Sequence, residues 1–355
     1  MAAAGVFVVA RRHDRGVADK GAVGEAVDED ELLRMTPVRI EEYWRARDVR
    51  RVLPELRVEG RLVVDAVPWR RFCHAYGRAD DMPDLLHGLS AADPAVASRS
   101  LSALWNRVRH QGYSSAPAAL AVPFLIRLAA SPAVHDRAGL LLLAAEAGHR
   151  NHFGRDLCQD LLQVAYAPED RRVDTWGYPV EWTLEAARAA IAADVSLLIP
   201  LLEDTDVAVR SAAAYALATA LAAPPVVVRA LRGRLAVEDA EPVRISLVLA
   251  LVQLAVERSE AAAAVAWAER LWMGEDNPID VRFAGALGWL CATAAPPPQS
   301  LLDLLATATT AAMERWMLQV PWPDGIAREG GLAAWLTAFL SNAVAEKPEN
   351  PFASL

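Results

Sequence analysis

The sequence has few cysteines and almost no lysine. Its 355 residues include three cysteines, at positions 73, 158 and 291, which lie far apart and form no CxxC pair. This spacing excludes a disulfide framework and the common zinc motifs, and it favours reduced thiols and a cytoplasmic protein. Lys20 and Lys347 are the only lysines among 36 basic residues, a bias typical of a coding sequence rich in G and C.

Long apolar runs are also missing. Residues 1–10 (MAAAGVFVVA) are too few to span a bilayer, which takes about 20 residues. Arginines follow this run instead of preceding it, which is the wrong order for a secretory signal. The longest apolar candidate, 211–228, is interrupted by Pro224 and Pro225. We therefore expect no membrane-spanning segment.

The pattern of apolar residues favours helices. Alternating runs of β-branched and aromatic residues, which mark strands, are almost absent. Segments rich in alanine and leucine dominate instead, and short breaks of Asp, Pro and Gly separate them. Alanine is the best helix former. The sequence therefore predicts an all-α protein.

An acidic turn followed by Val-Arg recurs along the chain. Clear copies lie at 204–210 (DTDVAVR), 238–244 (EDAEPVR) and 276–282 (DNPIDVR), and weaker ones at 93–97 (DPAVA) and 131–135 (SPAVH). Their valines, at 96, 134, 209, 243 and 281, are 38, 75, 34 and 38 residues apart, and 75 is about two periods. A two-helix period of this length predicts an α-solenoid, a right-handed α-α superhelix of about six to eight helix pairs.

The recurring phrase has a physical role. Its acid can cap the helix that follows, and its arginine can reach the acid of the adjacent turn. We call this series of contacts the arginine ladder, and its predicted members are Asp206, Arg210, Arg244, Asp280 and Arg282. Ala97 and His135 stand where the arginine should be in the two weaker copies, so those copies are expected to lack the contact.

In the copies that end at Arg210, Arg244 and Arg282 the chain resembles the HEAT-repeat family, over residues 80–295 and on to about 340. Residues 69–79 (WRRFCHAYGRA) and 110–125 (HQGYSSAPAALAVPFL) are similar to a group of bacterial HEAT-repeat proteins without an agreed activity. The resemblance implies one HEAT-like solenoid over 36–345, with an irregular insertion near 168–181. A mobile tail, 1–35, and a loose tail, 346–355, are expected on either side.

Aromatic and polar residues in irregular segments are the candidates for contact with a partner. The insertion contributes Trp176 and Tyr178, and Trp182 flanks it, since an aromatic insertion in a regular array suits recognition. The second group is His110, Gln111 and Tyr113. A histidine followed by glycine also predicts the capped end of a helix there. For the eleven tryptophans in general, filling gaps between alanine-rich helices is the alternative interpretation.

Charge is distributed unevenly. Residues 36–172 carry 19 basic and 16 acidic side chains, whereas residues 173–355 carry 12 basic and 22 acidic ones. The acidic second half favours another protein with a basic surface as partner, and it makes nucleic acid an unlikely one.

Motifs for catalysis are missing: no phosphate-binding loop and no GxSxG nucleophile motif occurs. Glu146 and His149, with His152 and Asp156, resemble one half of a metal site but are more typical of a polar turn. We expect no catalytic residue, cofactor or metal, and a non-catalytic protein-binding scaffold, of which a toxin-neutralising immunity protein is one form. Two alternatives stay open: a HEAT-like DNA glycosylase for alkylated bases, using residues 105–107 (WNR), and a metal-dependent HEAT-like hydroxylase or lyase.

Overall fold

Most of the residues that the structure describes lie in helices joined by short turns. A computed structural model describes residues 26, 31–32, 34–150, 158, 160–166, 170, 172–323 and 325–344. Helix accounts for 65% of the structure and strand for 3%, which confirms the predicted all-α class. Within this described part of the chain, every helix is too short or too polar to cross a membrane.

Seventeen α-helices lie in the described ranges. They are α1 (Pro37–Arg45), α2 (Val49–Val58), α3 (Met82–Gly88), α4 (Pro94–Val108), α5 (Ala116–Ala129), α6 (Arg137–Glu146), α7 (Val180–Ala193), α8 (Val195–Leu198), α9 (Val207–Thr219), α10 (Pro225–Leu235), α11 (Glu241–Glu257), α12 (Ala261–Met273), α13 (Ile279–Ala292), α14 (Gln299–Ala308), α15 (Ala311–Met317), α16 (Ile326–Glu329) and α17 (Leu332–Val344). Short 3-10 helices cover Val64–Ala66, Trp69–Arg71 and Ile199–Glu203.

The helices that begin near the recurring phrase pack against one another in chain order. Helix α4 contacts α6, α6 contacts α9, α9 contacts α11, and α11 contacts α13. Helix α10 packs against α11, and α12 packs against both α11 and α13. Helix α11 is buried almost all round, from Pro242 to Leu254, which is why its apolar residues follow no one-sided pattern. A Cβ on Gly285 of α13 would lie 2.8 Å from the Cβ of Leu271, so glycine permits the close approach of α12.

The arginine ladder joins successive turns. Arg210 pairs with Glu238 at 2.9 Å, and Arg244 pairs with Asp280 at 2.7 Å. Asp206 caps α9 by accepting a hydrogen bond from the backbone N–H of Ala208 at 2.8 Å. Arg282, the last of the series, donates instead to the carbonyl oxygen of Trp272 at 3.1 Å. Arg210 therefore ties the start of α9 to the turn before α11, and Arg244 ties the start of α11 to the first turn of α13.

The copy at 131–135 also has its ladder contact, contrary to the expectation drawn from His135. Arg137, two residues further on, pairs with Asp204 at 2.7 Å. Asp136 adopts a left-handed backbone conformation, with φ of 49°, and its side chain caps α6. The helix therefore begins later than the valine spacing predicts, and the arginine shifts with it.

Two short hairpins interrupt the helices and were not predicted. Strand β1 (Cys73–His74) pairs with β2 (Gly77–Arg78), and β3 (Arg109–His110) pairs with β4 (Tyr113–Ser114). The expected helix cap at His110 is wrong, because α4 ends at Val108. Gln111 and Gly112 have φ of 50° and 83°. Two consecutive residues with such left-handed backbone conformations form the turn of a two-residue hairpin, which reverses the chain.

Two described residues that precede position 36 are buried. Ala26 and Leu32 are each 5% exposed, and the N–H of Ala26 donates to the carbonyl oxygen of Arg70 at 2.6 Å. These two residues belong to the packed molecule, which corrects the predicted tail of 1–35 at its C-terminal end. Residues 1–25 and the predicted tail 346–355 lie outside the described residues.

Candidate partner-binding site

The turns of the two hairpins lie side by side. The N–H of Ala75, between β1 and β2, donates to the carbonyl oxygen of Arg107 at the end of α4 at 3.2 Å. The ring of Tyr76 meets that of His110 edge to face, with 5.5 Å between centroids. Tyr76 is 60% exposed. We call Tyr76, His110, Gln111 and Tyr113 the hairpin surface. It contains the three residues predicted from the HQGY segment, to which the structure adds Tyr76.

A buried histidine holds this surface from below. His74 is 3% exposed, and its Nδ1 accepts a hydrogen bond from the backbone N–H of Tyr76 at 3.1 Å. Its Nε2 therefore carries the proton and donates to Asp81 at 2.8 Å. Arg107 donates to the other oxygen of Asp81. Burial alone would raise the pKa of Asp81, but the hydrogen bonds from His74 and Arg107 lower it to about 2.

The insertion braces the same region. The indole N–H of Trp176 donates to the carbonyl oxygen of His74 at 2.9 Å. The indole N–H of Trp44 donates in turn to the carbonyl oxygen of Trp176 at 3.1 Å. Sequence reasoning placed Trp176 in a contact surface for a partner. In the structure its half-buried side chain ties the insertion to the first hairpin.

Tyr178 lies in the core, which corrects its prediction as a partner contact. It is 2% exposed, and its hydroxyl accepts a hydrogen bond from the N–H of Val49 at 2.9 Å and donates to the carbonyl oxygen of Arg47 at 3.2 Å. Burial raises the pKa of its phenol. Trp182 is half-buried beside it, with the guanidinium of Arg50 stacked 4.7 Å from the indole ring. An aromatic ring as enclosed as that of Tyr178 has no surface to offer a partner.

Asp174 closes the insertion into a turn. Its carboxylate accepts hydrogen bonds from the N–H groups of Trp176 at 2.8 Å and Tyr178 at 3.0 Å, and Val173 forms a β-bridge with Pro179. Burial raises the pKa of Asp174 to about 7, although the two N–H groups favour the carboxylate. The carboxylate of Asp174 and the backbone bridge between Val173 and Pro179 thus hold the turn together.

Sequence reasoning missed a chain of buried polar contacts behind the second hairpin. Arg109 of β3 pairs with Glu146 at 2.7 Å, and the hydroxyl of Tyr215 donates to the same carboxylate at 2.5 Å. His149 stacks on Tyr215 with 4.6 Å between centroids, and its Nε2 lies 2.7 Å from Oγ1 of Thr219. Arg109 is 37 positions from Glu146, and the partners on α9 are about 70 positions from Glu146 and His149, so no local motif could have revealed these contacts.

The contacts of Glu146 and His149 bear on the metal alternative. Both side chains are bonded to residues of α9, and His152 and Asp156 lie outside the described residues. Over the ranges that the structure describes, no group of three or more His, Cys, Asp and Glu side chains is placed to hold a metal ion. On the helix that carries the WNR segment, Arg107 is bonded to Asp81 and the amide of Asn106 donates to the carbonyl oxygen of Ser102.

Comparisons of the chain with family models, with curated proteins and with solved structures found no match. What the protein does must therefore be inferred from the chemistry of the hairpin surface. It offers an aromatic face, an imidazole and an amide, set on two hairpins that meet through the rings of Tyr76 and His110, and the first hairpin is also hydrogen-bonded to the end of α4. Such groups suit recognition of another protein by apolar contact and hydrogen bonding.

Proposed function

We propose that the chain is a non-catalytic, HEAT-like repeat protein that binds another protein through the hairpin surface. The observation that carries the proposal is the exposure of Tyr76. Ten large apolar side chains are exposed in the described ranges, and Tyr76 is the aromatic one among them. A folded chain buries tyrosine at least in part, so a ring left 60% exposed is a ready contact for a partner.

The rigidity of the support adds to the proposal. The backbone of Tyr76 is bonded to His74, which is fixed by Asp81, and the neighbouring hairpin supplies His110 as a second ring. A binding group that is already held in place loses little conformational entropy when a partner docks. The hairpin surface therefore has the aromatic anchor and the preorganisation that protein-binding sites share.

The order of helix contacts supports a repeat array. Helices α4, α6, α9, α11 and α13 contact one another in succession, and the ladder arginines link the intervening turns. We infer that these helices form the inner layer of a right-handed α-α superhelix, in keeping with the period of 34 to 38 residues. Hairpin β1–β2 precedes α3 and hairpin β3–β4 follows α4, near the N-terminal end of that array.

The test is quantitative affinity capture from cells that naturally contain the protein. The comparison includes wild type, Tyr76→Ala and Val58→Ala. Val58 of α2 is the control, because it is an apolar residue with 90% exposure that lies outside the hairpin surface. We expect one protein to be captured by wild type and by Val58→Ala and to fall at least about tenfold with Tyr76→Ala. Equal capture by Tyr76→Ala and wild type would refute the hairpin surface as the binding site.

A further inference from the structure

A second surface lies on the outer helices of the acidic half. A groove of about 430 Å³ runs between α10 and α12. It is lined by Arg232, Leu235, Ala236, Ala263, Trp267 and Arg270. The lining thus combines an indole and a leucine with two guanidinium groups, and no acidic residue takes part in it. It shares no residue with the hairpin surface.

The two arginines of the groove are unpaired. Within the described part of the chain, neither Arg232 nor Arg270 has an ion-pair or hydrogen-bond partner for its side chain. Arg234, on the same helix, is by contrast bonded to Glu203 and Glu238. The guanidiniums of Arg232 and Arg270 therefore keep all their donors for a ligand. A planar guanidinium matches a carboxylate with two parallel hydrogen bonds.

Exposed apolar side chains stand close in the chain to the lining residues of the groove. Val237, just after α10, is 69% exposed, and Met273, the last residue of α12, is 57% exposed. Trp267 is half-buried in the groove wall. A ligand that combines carboxylates with apolar side chains would satisfy both the arginines and this apolar surface.

We propose that the groove between α10 and α12 binds an acidic peptide segment of a partner protein, with carboxylates on Arg232 and Arg270 and an apolar side chain against Trp267. This occupant differs from the basic partner that the net charge of residues 173–355 favours. Charges at a distance are screened within about 8 Å at physiological ionic strength, whereas the two arginines act in direct contact. Contact chemistry therefore decides what the groove holds.

The probe is a short fluorescein-labelled peptide of alternating glutamate and leucine, and fluorescence anisotropy measures its binding to the full chain. We expect binding to weaken at least about tenfold in the double variant Arg232→Ala/Arg270→Ala and to weaken further as salt is added. Arg229→Ala is the matched control, because Arg229 is exposed on α10 but does not line the groove.

The counterpart peptide with lysine in place of glutamate tests the sign of the charge. We expect it to bind at least about tenfold more weakly than the glutamate peptide. All the substituted arginines are exposed, and circular dichroism would verify that each variant keeps the helical fold. Equal binding of the glutamate peptide by wild type and the double variant, equal binding of the two peptides, or no binding of the glutamate peptide would each overturn the proposal.

Discussion

Glu238 is the most deeply buried acid of the arginine ladder, and its replacement by alanine is the most informative test of the fold. Its side chain has no exposed surface, and Arg210, which pairs with it, is 8% exposed. Arg234 donates to the same carboxylate at 2.8 Å, and the N–H of Ala240 does so at 2.9 Å. Glu238→Ala would leave two nearly buried guanidiniums and one backbone N–H without this acceptor.

The magnitude follows from two independent considerations. Removal of one partner from a buried ion pair costs about 3–5 kcal/mol, since the remaining charge is left uncompensated. The pKa of Glu238 provides the second. Burial opposes ionisation, but hydrogen bonds from Arg234 and Arg210 lower this pKa from 4.5 to about 2. A shift of that size corresponds to about 3 kcal/mol of stability, which is present above pH 4.5 and is lost as the pH falls through 2.

The assay is urea unfolding at pH 7, followed by circular dichroism. We expect Glu238→Ala to lower the free energy of unfolding by about 3 kcal/mol. Asp239→Ala is the control, because Asp239 is 93% exposed and lies 4.0 Å from Arg210. It should change stability by less than about 0.5 kcal/mol. A loss below about 1 kcal/mol for Glu238→Ala, or equal losses for the two variants, would refute the view that the ladder holds the repeats together.

Two further predictions concern the insertion and the shifted ladder contact. Because the pKa of Asp174 rises from 3.8 to about 7 on folding, its stabilisation is complete below pH 3.8 and is lost as the pH rises through 7. Wild-type stability should therefore fall between pH 5 and pH 8 in thermal unfolding, and this fall should be smaller for Asp174→Asn. An equal fall for the two proteins would show that Asp174 is not its cause. Arg137→Ala should lower the free energy of unfolding in urea by about 2 kcal/mol, because the pair of Arg137 with Asp204 is largely buried. The control, His135→Ala, should leave it almost unchanged, because His135 is exposed. Equal effects at 135 and 137 would exclude the shifted contact.

The ladder was predictable where its signal is local. An acid, a valine and an arginine at fixed spacing indicate both the start of a helix and an ion pair with an acid in the next copy of the phrase. The sequence could therefore identify Arg210 and Arg244 as ladder residues. Arg137 could not, because α6 begins only after Asp136, which has a left-handed conformation, and the arginine lies two residues beyond the expected position 135. Glu238 was overlooked as an acceptor because the phrase offers several acids, and burial alone selects one.

The hairpins and the insertion mark the limit of sequence reasoning. Strands of two residues are too short to show alternation, although Gln111-Gly112 is a turn signal that could have been weighed. Tyr178 was placed on the surface because an insertion suggests exposure. Its hydroxyl is bonded to residues 129 and 131 positions away, and a partner so distant in the chain is not encoded in any local pattern.

Site-specific photocrosslinking tests the central claim most directly. A photoreactive phenylalanine derivative would replace Tyr76 in one variant and Val58 in another, and both would be irradiated in cells that naturally contain the protein. Since the hairpin surface is proposed to contact the partner, we expect one discrete crosslinked protein from position 76 and none from position 58. A chain that stays uncrosslinked at 76, or that gives the same adducts from both positions, would contradict the claim.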